Sequence, residues 1–532
     1  MAAPQAEAAW EGARVLEDGG NAADALVTAA LVQGIVDPHR SGLGGFGCAT
    51  LHFPSRDAAL AIDFHARAGS LCRSDQWESI FESAAPDGFG YVIAGKRNDV
   101  GHESIAVPGM VAGLGEIHGR FGSLPWRDLV LRAVAYAEEG FLVTPDLAEF
   151  WIRPGLHGRV STRDRLSRTD TGRLICLKPD GSTYRAGETF VQPLLARTYR
   201  RLADEGPAGF YRGSIAADIA RDWEENGALA TRKDLEDYHC SVRPPLRGAY
   251  RRLEVLTTPL PGGGVALLQA LSLLAEGDLR SLGHNSPDYI DRVAPVLQAV
   301  WHDRLTNHGD PRFGGLAEKD LLSSEYLSRL AARPRVEAGA DSESTTQLTI
   351  ADGQGNSVAF SHSLGYGSGV FSPNLGFMYN NCMSAFDPRP GRRNSIEPGK
   401  ARSTAVAETV LLGSGGVFAV LGSPGAARIT AGLVQAIVNM VDFGMTAGEA
   451  VVQPRFDAYG DRKLVLESRF PQPLVRELRR RGWDVIQSPK PFGVVGRVYA
   501  IQLDGHEPIA GVDPGEPGAA YRARRRDAPE SP

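Results

Sequence analysis

The hydrophobic residues of the chain recur with a helical spacing through most of its first two thirds. Segments 7–18 and 22–36 carry apolar residues three and four positions apart, which predicts two helices. Gly19, Gly20 and Asn21 stand between them, and glycine ends helices while asparagine caps them. Segments 48–53 and 58–66 then predict two strands, and most of 107–340 returns to the helical spacing.

The pattern changes near residue 344. Residues 333–344 are small and polar, which is typical of an exposed linker. Apolar and polar residues then alternate in 345–351 and 357–364, on either side of a glycine-containing turn, and this predicts a β-hairpin. Further strands are predicted at 409–413, 417–422 and 498–503, with a helix over 429–444. The chain thus divides into a helix-rich part, 1–344, and a strand-rich part, 345–532.

Composition excludes several classes of function. Hydrophobic residues make up 42% of the 532 positions and charged residues 23%, as in ordinary soluble globular proteins. A formal net charge of -6 provides no field that attracts nucleic acid or an anionic membrane. The beginning of the chain lacks a basic segment followed by an apolar one, so no secretory signal is predicted. No stretch is apolar enough to cross a bilayer, and we expect a cytoplasmic protein without nucleic-acid or membrane partners.

A threonine that opens a strand directly after a polar linker is a candidate nucleophile. The hydroxyl of Thr345 needs a base beside it, and the α-amine of a chain terminus, with a pKa of about 8, can act as one. Such a terminus is created by cutting the Ser344–Thr345 bond, which the Thr345 hydroxyl can attack itself. Taken alone, the Ser-Thr-Thr step is more typical of an ordinary strand. The neighbouring segments favour the chemical interpretation.

These segments resemble the gamma-glutamyltranspeptidase superfamily, and they follow one another in that family's order. The resemblance runs from near residue 7 to near residue 515. In the first part it is carried by GGNAADALVTAALVQGIVDPHRSGLGGFG, AVPGMVAGLGEIHGRFG, GPAGFYRG, TRKDLEDYHCSVRPPLRGAYR and PLPGGGVALLQAL. In the second part it is carried by STTQLTIADGQGNSVAFSHSLGYGSG, RSTAVAET and LGSPGAARI.

The resemblance implies an α+β fold, the four-layer αββα sandwich of N-terminal-nucleophile hydrolases. It implies a precursor cut between Ser344 and Thr345 into a large subunit, 1–344, and a small subunit, 345–532, with Thr345 as the exposed nucleophile. No metal or organic cofactor is implied. The other matched positions are a supporting hydroxyl, Ser363, the paired hydroxyls that hold the substrate carboxylate, Ser403 and Thr404, and the oxyanion-hole pair, Gly425 and Ala426.

The oxyanion-hole assignment also has support from the residue pattern. Gly425 lies between a predicted strand and a predicted long helix. The first N–H groups of a helix have no partner inside the helix and favour negative charge. An alanine at position 426 still supplies such an N–H, although the family has a second glycine there.

Several substrate-binding positions depart from the family's pattern. His65 stands where a gamma-glutamyl enzyme has an arginine, and Arg67, two residues on along the predicted strand, is the candidate replacement. Cys382 replaces a glutamine, Ala385 replaces the aspartate that would hold the substrate ammonium, and Gly365 replaces a side-chain amide. A buried ammonium without a carboxylate costs several kcal/mol. The chain therefore looks like a divergent member that takes a small carboxylate-bearing substrate without a glutamyl head.

Four functions remain open from the sequence. The first is a self-processing threonine hydrolase or acyltransferase that breaks an amide or C–C acyl bond, since relatives in the superfamily act on oxamate or on glutaryl side chains. The second is a cytoplasmic C–C bond hydrolase of a 4-alkyl-proline antibiotic pathway. The third is an ordinary gamma-glutamyltransferase or glutathione hydrolase. The fourth is an unprocessed, non-catalytic relative that binds a small carboxylate.

Overall fold

The computed structural model describes residues 1–85, 90–156, 158–331, 345–504 and 507–524. Ser344 and the predicted linker 333–344 lie outside the described residues. Within the described ranges, no helix is long and apolar enough to cross a bilayer.

Two antiparallel sheets form the centre of the molecule. In spatial order, the first sheet consists of the strands Ala519–Ala520, Ala2–Ala3, Thr345–Ala351, Ser357–Ser363, Phe46–Phe53, Ala58–Phe64 and Ser241–Arg243. The second sheet consists of Ile509–Val512, Tyr499–Gln502, Gly416–Gly422, Thr409–Gly413, Leu253–Thr257 and Leu246–Tyr250. Small apolar residues such as Ala2, Ala359 and Val420 pack between the two sheets.

Helices cover the outer face of each sheet. The helices beside the first sheet include Ala6–Glu17, Ala22–Val36 and Met110–Phe121, which contact its strands, and Trp126–Glu138 and Pro193–Arg212, which pack on these helices. Those packed on the second sheet are Gly264–Ala275, Pro287–Asn307, Ile429–Val441 and Ala447–Val452. The layers therefore follow the order helix, sheet, sheet, helix, and the predicted four-layer αββα sandwich is confirmed.

The remaining elements surround this sandwich. A third sheet consists of Phe456–Tyr459, Lys463–Leu466 and Asp484–Gln487, and two small ribbons pair Phe81–Ala84 with Tyr91–Ile93 and Phe141–Leu142 with Thr189–Phe190. The other α-helices are Pro145–Trp151, Thr162–Leu166, Asp170–Cys176, Ser214–Asn226, Arg232–Glu236, Glu318–Leu321, Ser324–Ala331 and Gln472–Arg480.

Both predicted parts of the chain contribute strands to both main sheets. Thr345–Ala351, from the second part, pairs on one side with Ala2–Ala3 and on the other with Ser357–Ser363, which in turn pairs with Phe46–Phe53. The two parts thus share one hydrogen-bonded framework, which would hold them together after a cut at residue 344. The division into two subunits at that point stays a prediction.

The local predictions at the start of the chain are confirmed. The helices Ala6–Glu17 and Ala22–Val36 lie where the spacing predicts them. Asn21 caps the second helix, because its side chain accepts hydrogen bonds from the N–H groups of Ala23 and Asp24. The hairpin Thr345–Ala351 and Ser357–Ser363 also forms as predicted.

Glu408 lies buried where the two sheets face each other, just before the strand Thr409–Gly413. Ser361 Oγ lies 2.7 Å from one Glu408 carboxyl oxygen and 2.6 Å from Gln347 Oε1, and Gln347 Nε2 donates to the other carboxyl oxygen at 2.7 Å. The single Ser361 hydrogen serves one of these acceptors only. A proton on Glu408 supplies the missing hydrogen, and burial accordingly raises the pKa of this carboxyl to about 8.

This network predicts a pH dependence of stability. The pKa of Glu408 in the folded protein lies above its unfolded value of about 4.5. The contribution of the protonated carboxyl to the free energy of unfolding is therefore complete below about pH 4.5. It falls as the pH rises towards about 8 and is constant above about pH 8. Glu408→Gln should lack this fall. The measurement is the midpoint of thermal unfolding between pH 5 and pH 9, with the exposed Glu224→Gln as the control. A Glu408→Gln protein with the wild-type pH profile would contradict the assignment.

Candidate active site

Thr345 is the first residue of its strand and faces the second sheet. Side chains alternate along a strand, and Thr349, on the same face as Thr345, donates to the Tyr499 carbonyl of the second sheet at 3.0 Å. Thr346 points the other way and contacts Gln33 of an outer helix at 3.0 Å. Thr345 itself is only 8% exposed. Its hydroxyl is therefore held between the sheets, at the end of the strand.

Ser363 lies directly opposite Thr345 in the antiparallel register. Its Oγ accepts a hydrogen bond from the N–H of Gly365 at 2.9 Å, and the residue is 3% exposed. Cβ atoms of directly paired residues lie roughly 5 Å apart. The predicted supporting hydroxyl is thus a cross-strand neighbour of the predicted nucleophile.

A turn that leaves the second sheet approaches the same place. A Cβ added to Gly422, the last residue of its strand, would lie 2.1 Å from Gln347 Nε2, so the absence of a side chain lets the sheets approach. Gly425 then adopts a φ of +135°, and a Cβ there would lie 2.6 Å from the Cα of Gly496. Ala426 follows with a φ of +47° and begins the 3₁₀ turn Ala426–Arg428 ahead of the helix Ile429–Val441.

The backbone of this turn presents donors. No acceptor in the described part of the chain takes the N–H of Gly425 or Ala426. A helix start with free N–H groups favours negative charge. The turn can therefore stabilise an oxyanion, as the sequence predicts.

One cavity of about 290 Å³ is lined by some of the predicted catalytic and substrate-binding residues, although Ser363 and Gly425 are not among its lining residues. Thr345, Ser403, Thr404 and Ala426 all line it, and Ala385 lines it as well. Ser403 Oγ is buried and makes no hydrogen bond to the described residues. The remaining lining residues are Phe46, Ala84, Ala85, Gly90, Tyr91, Trp301, Arg304, Leu305, His308, Asn394, Arg402, Ala405, Val406 and Ala427.

His65 and Arg67 lie outside this set of lining residues. The strand ends at Phe64, so the predicted strand alternation does not extend to these two positions. His65 Nδ1 lies 2.5 Å from Asp63 Oδ1. The Arg67 guanidinium donates to the His239 carbonyl at 2.8 Å and lies 5.0 Å from the centre of the Tyr238 ring. A role for either side chain in substrate binding stays a prediction.

Cys382 also lies behind the cavity wall. It is buried in a small apolar cluster with Phe46 and Met383. Burial raises the pKa of its thiol to about 11, although the charge and hydrogen bond of Arg402 lower it in part. The thiol is therefore neutral at physiological pH and contacts the site through Arg402.

The charged side chains of the cavity, Arg304 and Arg402, were not among the site residues predicted from the sequence. Arg402 directly precedes the predicted hydroxyl pair, and that adjacency was the available signal. Arg304 lies near the end of the helix Pro287–Asn307, on a buried face that is otherwise largely apolar. An arginine on such a face was a weaker signal, because arginine stems often cover apolar surface without a ligand.

Comparison with known proteins agrees with this geometry. The family model for gamma-glutamyltranspeptidase matches residues 8–523. The chain belongs to the gamma-glutamyltranspeptidase family. It is 33% identical to the acylase ACY 1 proenzyme of Pseudomonas sp. (strain SE83) over 94% of this chain and 89% of that protein. It is 30% identical to a glutathione hydrolase proenzyme of Pseudomonas aeruginosa, over 97% and 92% of the two chains.

The fold of this gamma-glutamyltranspeptidase family member also matches solved structures. The cephalosporin acylase from Bacillus halodurans superimposes with a TM-score of 0.86 at 26% identity, over 98% of this chain and 95% of that one. The protein is thus an N-terminal-nucleophile-type hydrolase of the gamma-glutamyltranspeptidase superfamily, and acylases are among its relatives.

The two residues of the oxyanion turn are expected to respond oppositely to exchange between glycine and alanine. A left-handed φ costs an alanine ~1–2 kcal/mol, which Ala426→Gly would relieve. Glycine loses more conformational freedom on folding than alanine does, and this offsets part of that gain. Ala426→Gly should therefore keep or raise the free energy of unfolding, by up to ~1 kcal/mol. Gly425→Ala should lower it, because the new Cβ meets the Gly496 backbone. Urea unfolding of both variants is the measurement, and the opposite ranking would contradict the turn's geometry.

Proposed function

We propose that this chain is a self-cleaving threonine acylase that hydrolyses the amide bond of a small acyl group carrying a free carboxylate. The observation that carries the proposal is the shared cavity. Thr345, the oxyanion turn at Ala426 and the hydroxyls of Ser403 and Thr404 all line it. Two of the relatives are acylases, and this favours cleavage of an amide bond over cleavage of a C–C bond.

The mechanism follows from these positions. Cleavage before Thr345 frees its α-amine, which takes the proton of the Thr345 hydroxyl as the oxygen attacks the substrate carbonyl. The N–H groups of Gly425 and Ala426 hold the developing oxyanion, and such donors are worth ~3 kcal/mol each. The amine then passes the proton to the leaving nitrogen. Water enters by the same route and hydrolyses the acyl-threonine ester, with the amine again as the base.

The cavity wall supports an acyl group without an α-amine. Ala385 lines the cavity at the position where the family resemblance places an aspartate, and it offers no charge to an ammonium. Within the described part of the chain, the lining residues include two arginines and no aspartate or glutamate. A gamma-glutamyl ammonium would therefore be buried beside like charges without a partner, which costs several kcal/mol.

Self-cleavage is expected to depend on the Thr345 hydroxyl. Wild-type protein should separate into fragments 1–344 and 345–532 on a denaturing gel, whereas Thr345→Ala should remain a single band because it has no nucleophile. Thr345→Ser should cleave more slowly. Thr346→Ser is the matched control, since Thr346 faces Gln33 and not the cavity, and it should cleave as the wild type does. Cleavage of Thr345→Ala would overturn the proposal.

Substrate preference is expected to favour glutaryl-p-nitroanilide over gamma-glutamyl-p-nitroanilide. The two compounds differ only in the α-amino group, for which the described lining residues offer no acidic partner. A difference in kcat/KM of at least about tenfold, or ~1.4 kcal/mol, should be seen in the release of p-nitroaniline. Equal or faster release from the gamma-glutamyl compound would show that the protein is an ordinary gamma-glutamyl enzyme.

A further inference from the structure

The cavity beside Thr345 carries a concentration of positive charge. Arg304 and Arg402 both line it, and none of the described residues that line it is an aspartate or a glutamate. The two side chains come from different elements. Arg304 belongs to the outer helix Pro287–Asn307, whereas Arg402 lies in the segment before the strand Thr409–Gly413.

Arg304 is buried, and its side chain has no partner among the described residues. It is 7% exposed, and its guanidinium makes no hydrogen bond or ion pair with any residue that the structure describes. Burial and the neighbouring charge of Arg402 lower its pKa to about 10, so the side chain still carries its charge near neutral pH. Buried charges in proteins are normally paired, because an unpaired one forfeits its hydration.

The acid next to Arg304 in the chain is already engaged elsewhere. Asp303 accepts hydrogen bonds from Tyr326 at 2.5 Å, Asn307 at 2.7 Å and Gln269 at 2.9 Å, and His308 lies 3.3 Å away. These contacts occupy both oxygens of its carboxylate, and Asp303 is not among the residues that line the cavity. Asp303 therefore organises the end of the helix and leaves the charge of Arg304 for another group.

Arg402 and Ser403 add donors to the same cavity. Arg402 is 4% exposed, lies 4.9 Å from the centre of the Phe46 ring, and donates to the Ser403 carbonyl at 3.2 Å. Ser403 Oγ is buried and has no partner among the described residues. Two guanidinium groups and a free hydroxyl are the donors that carboxylate recognition uses.

We propose that Arg304 binds the free carboxylate at the far end of the acyl group, so that the natural substrates are amides of short dicarboxylic acids. This inference rests on the proposed acylase activity and names its specificity-determining residue. The small cavity, about 290 Å³, limits the acyl chain to a few carbons, since small-molecule sites span roughly 300–1,000 Å³. The substrate carboxylate supplies the negative charge that the described lining residues do not provide.

Direct binding tests the site without requiring catalysis. Thermal unfolding of uncleaved Thr345→Ala protein is followed with glutarate, with valerate and with inorganic phosphate. Glutarate should raise the unfolding midpoint more than valerate, which has the same chain length but one carboxylate. The double variant Thr345→Ala, Arg304→Met should lose this difference, whereas Thr345→Ala, Arg329→Met, which removes an exposed arginine, should keep it. Equal stabilisation by phosphate and glutarate would overturn dicarboxylate recognition in favour of a general anion site.

Removal of Arg304 is also expected to leave the ligand-free protein as stable as before, or more stable. Replacing an unpaired buried charge by an apolar side chain of similar volume relieves its desolvation. An arginine with a structural role would instead lower the unfolding midpoint when replaced. A marked loss of ligand-free stability in Arg304→Met, with no recovery in Arg304→Lys, would therefore contradict the binding role.

The second test measures hydrolysis by cleaved protein in which Thr345 is intact. Arg304→Met should lower kcat/KM for glutaryl-p-nitroanilide by at least about tenfold while changing that for valeryl-p-nitroanilide little, and Arg304→Lys should recover part of the loss. If the wild type cleaves neither anilide but glutarate binding still depends on Arg304, the acylase proposal fails and the carboxylate site stands. If the wild type is active and Arg304→Met keeps the wild-type ratio, the carboxylate site fails and the acylase proposal stands.

Discussion

The antiparallel register between Thr345–Ala351 and Ser357–Ser363 determines where the candidate nucleophile lies. It pairs Thr345 with Ser363 and turns the Thr345 side chain towards the second sheet. A shift of one residue would reverse the two faces of the strand and put Thr346 into the cavity. Because the strand is hydrogen-bonded on both sides, its first residue can keep its place after the peptide bond before it is broken.

Close approach of the two sheets brings Thr345 near the turn that follows Gly422. Gly422 ends a strand of the second sheet against Gln347, and the chain turns directly from there into Gly425 and Ala426. The candidate nucleophile, Thr345, and the candidate oxyanion donor, Ala426, therefore come from opposite sheets and meet at one cavity. The same arrangement buries Glu408 between the sheets and Arg304 at the cavity wall. Glu408 is accommodated there as a neutral, protonated carboxyl, and Arg304 is the group that we propose binds the substrate carboxylate.

Much of this arrangement can be predicted from the sequence, because it depends on local pattern. The helix Ala22–Val36, its cap at Asn21 and the hairpin that begins at Thr345 follow from spacing and turn residues. The family resemblance adds Ser403, Thr404 and Ala426, which the structure brings to the Thr345 cavity. The strands between 241 and 257 were less evident, because they lie inside a region dominated by helical spacing.

The direction of side chains at the ends of helices and strands could not be predicted from the sequence. The strand before His65 ends at Phe64, three residues before Arg67, so alternation does not carry Arg67 to the site. The Arg67 guanidinium contacts the His239 carbonyl instead. Arg304 reaches the cavity because a helix ends against it, and helical spacing alone does not show which buried positions of a helix meet a cavity. Such contacts depend on tertiary packing between segments that are distant in the chain.

The most direct test of this account is to find the residue that carries the acyl group during turnover. A glutaryl ester rapidly mixed with the cleaved protein, quenched in acid and digested, should leave a glutaryl group on the peptide whose N-terminus is Thr345. Mass spectrometry should place the added mass on that residue. An acyl group on any other residue, or an acylated peptide in which Ser344 and Thr345 are still joined, would contradict the account.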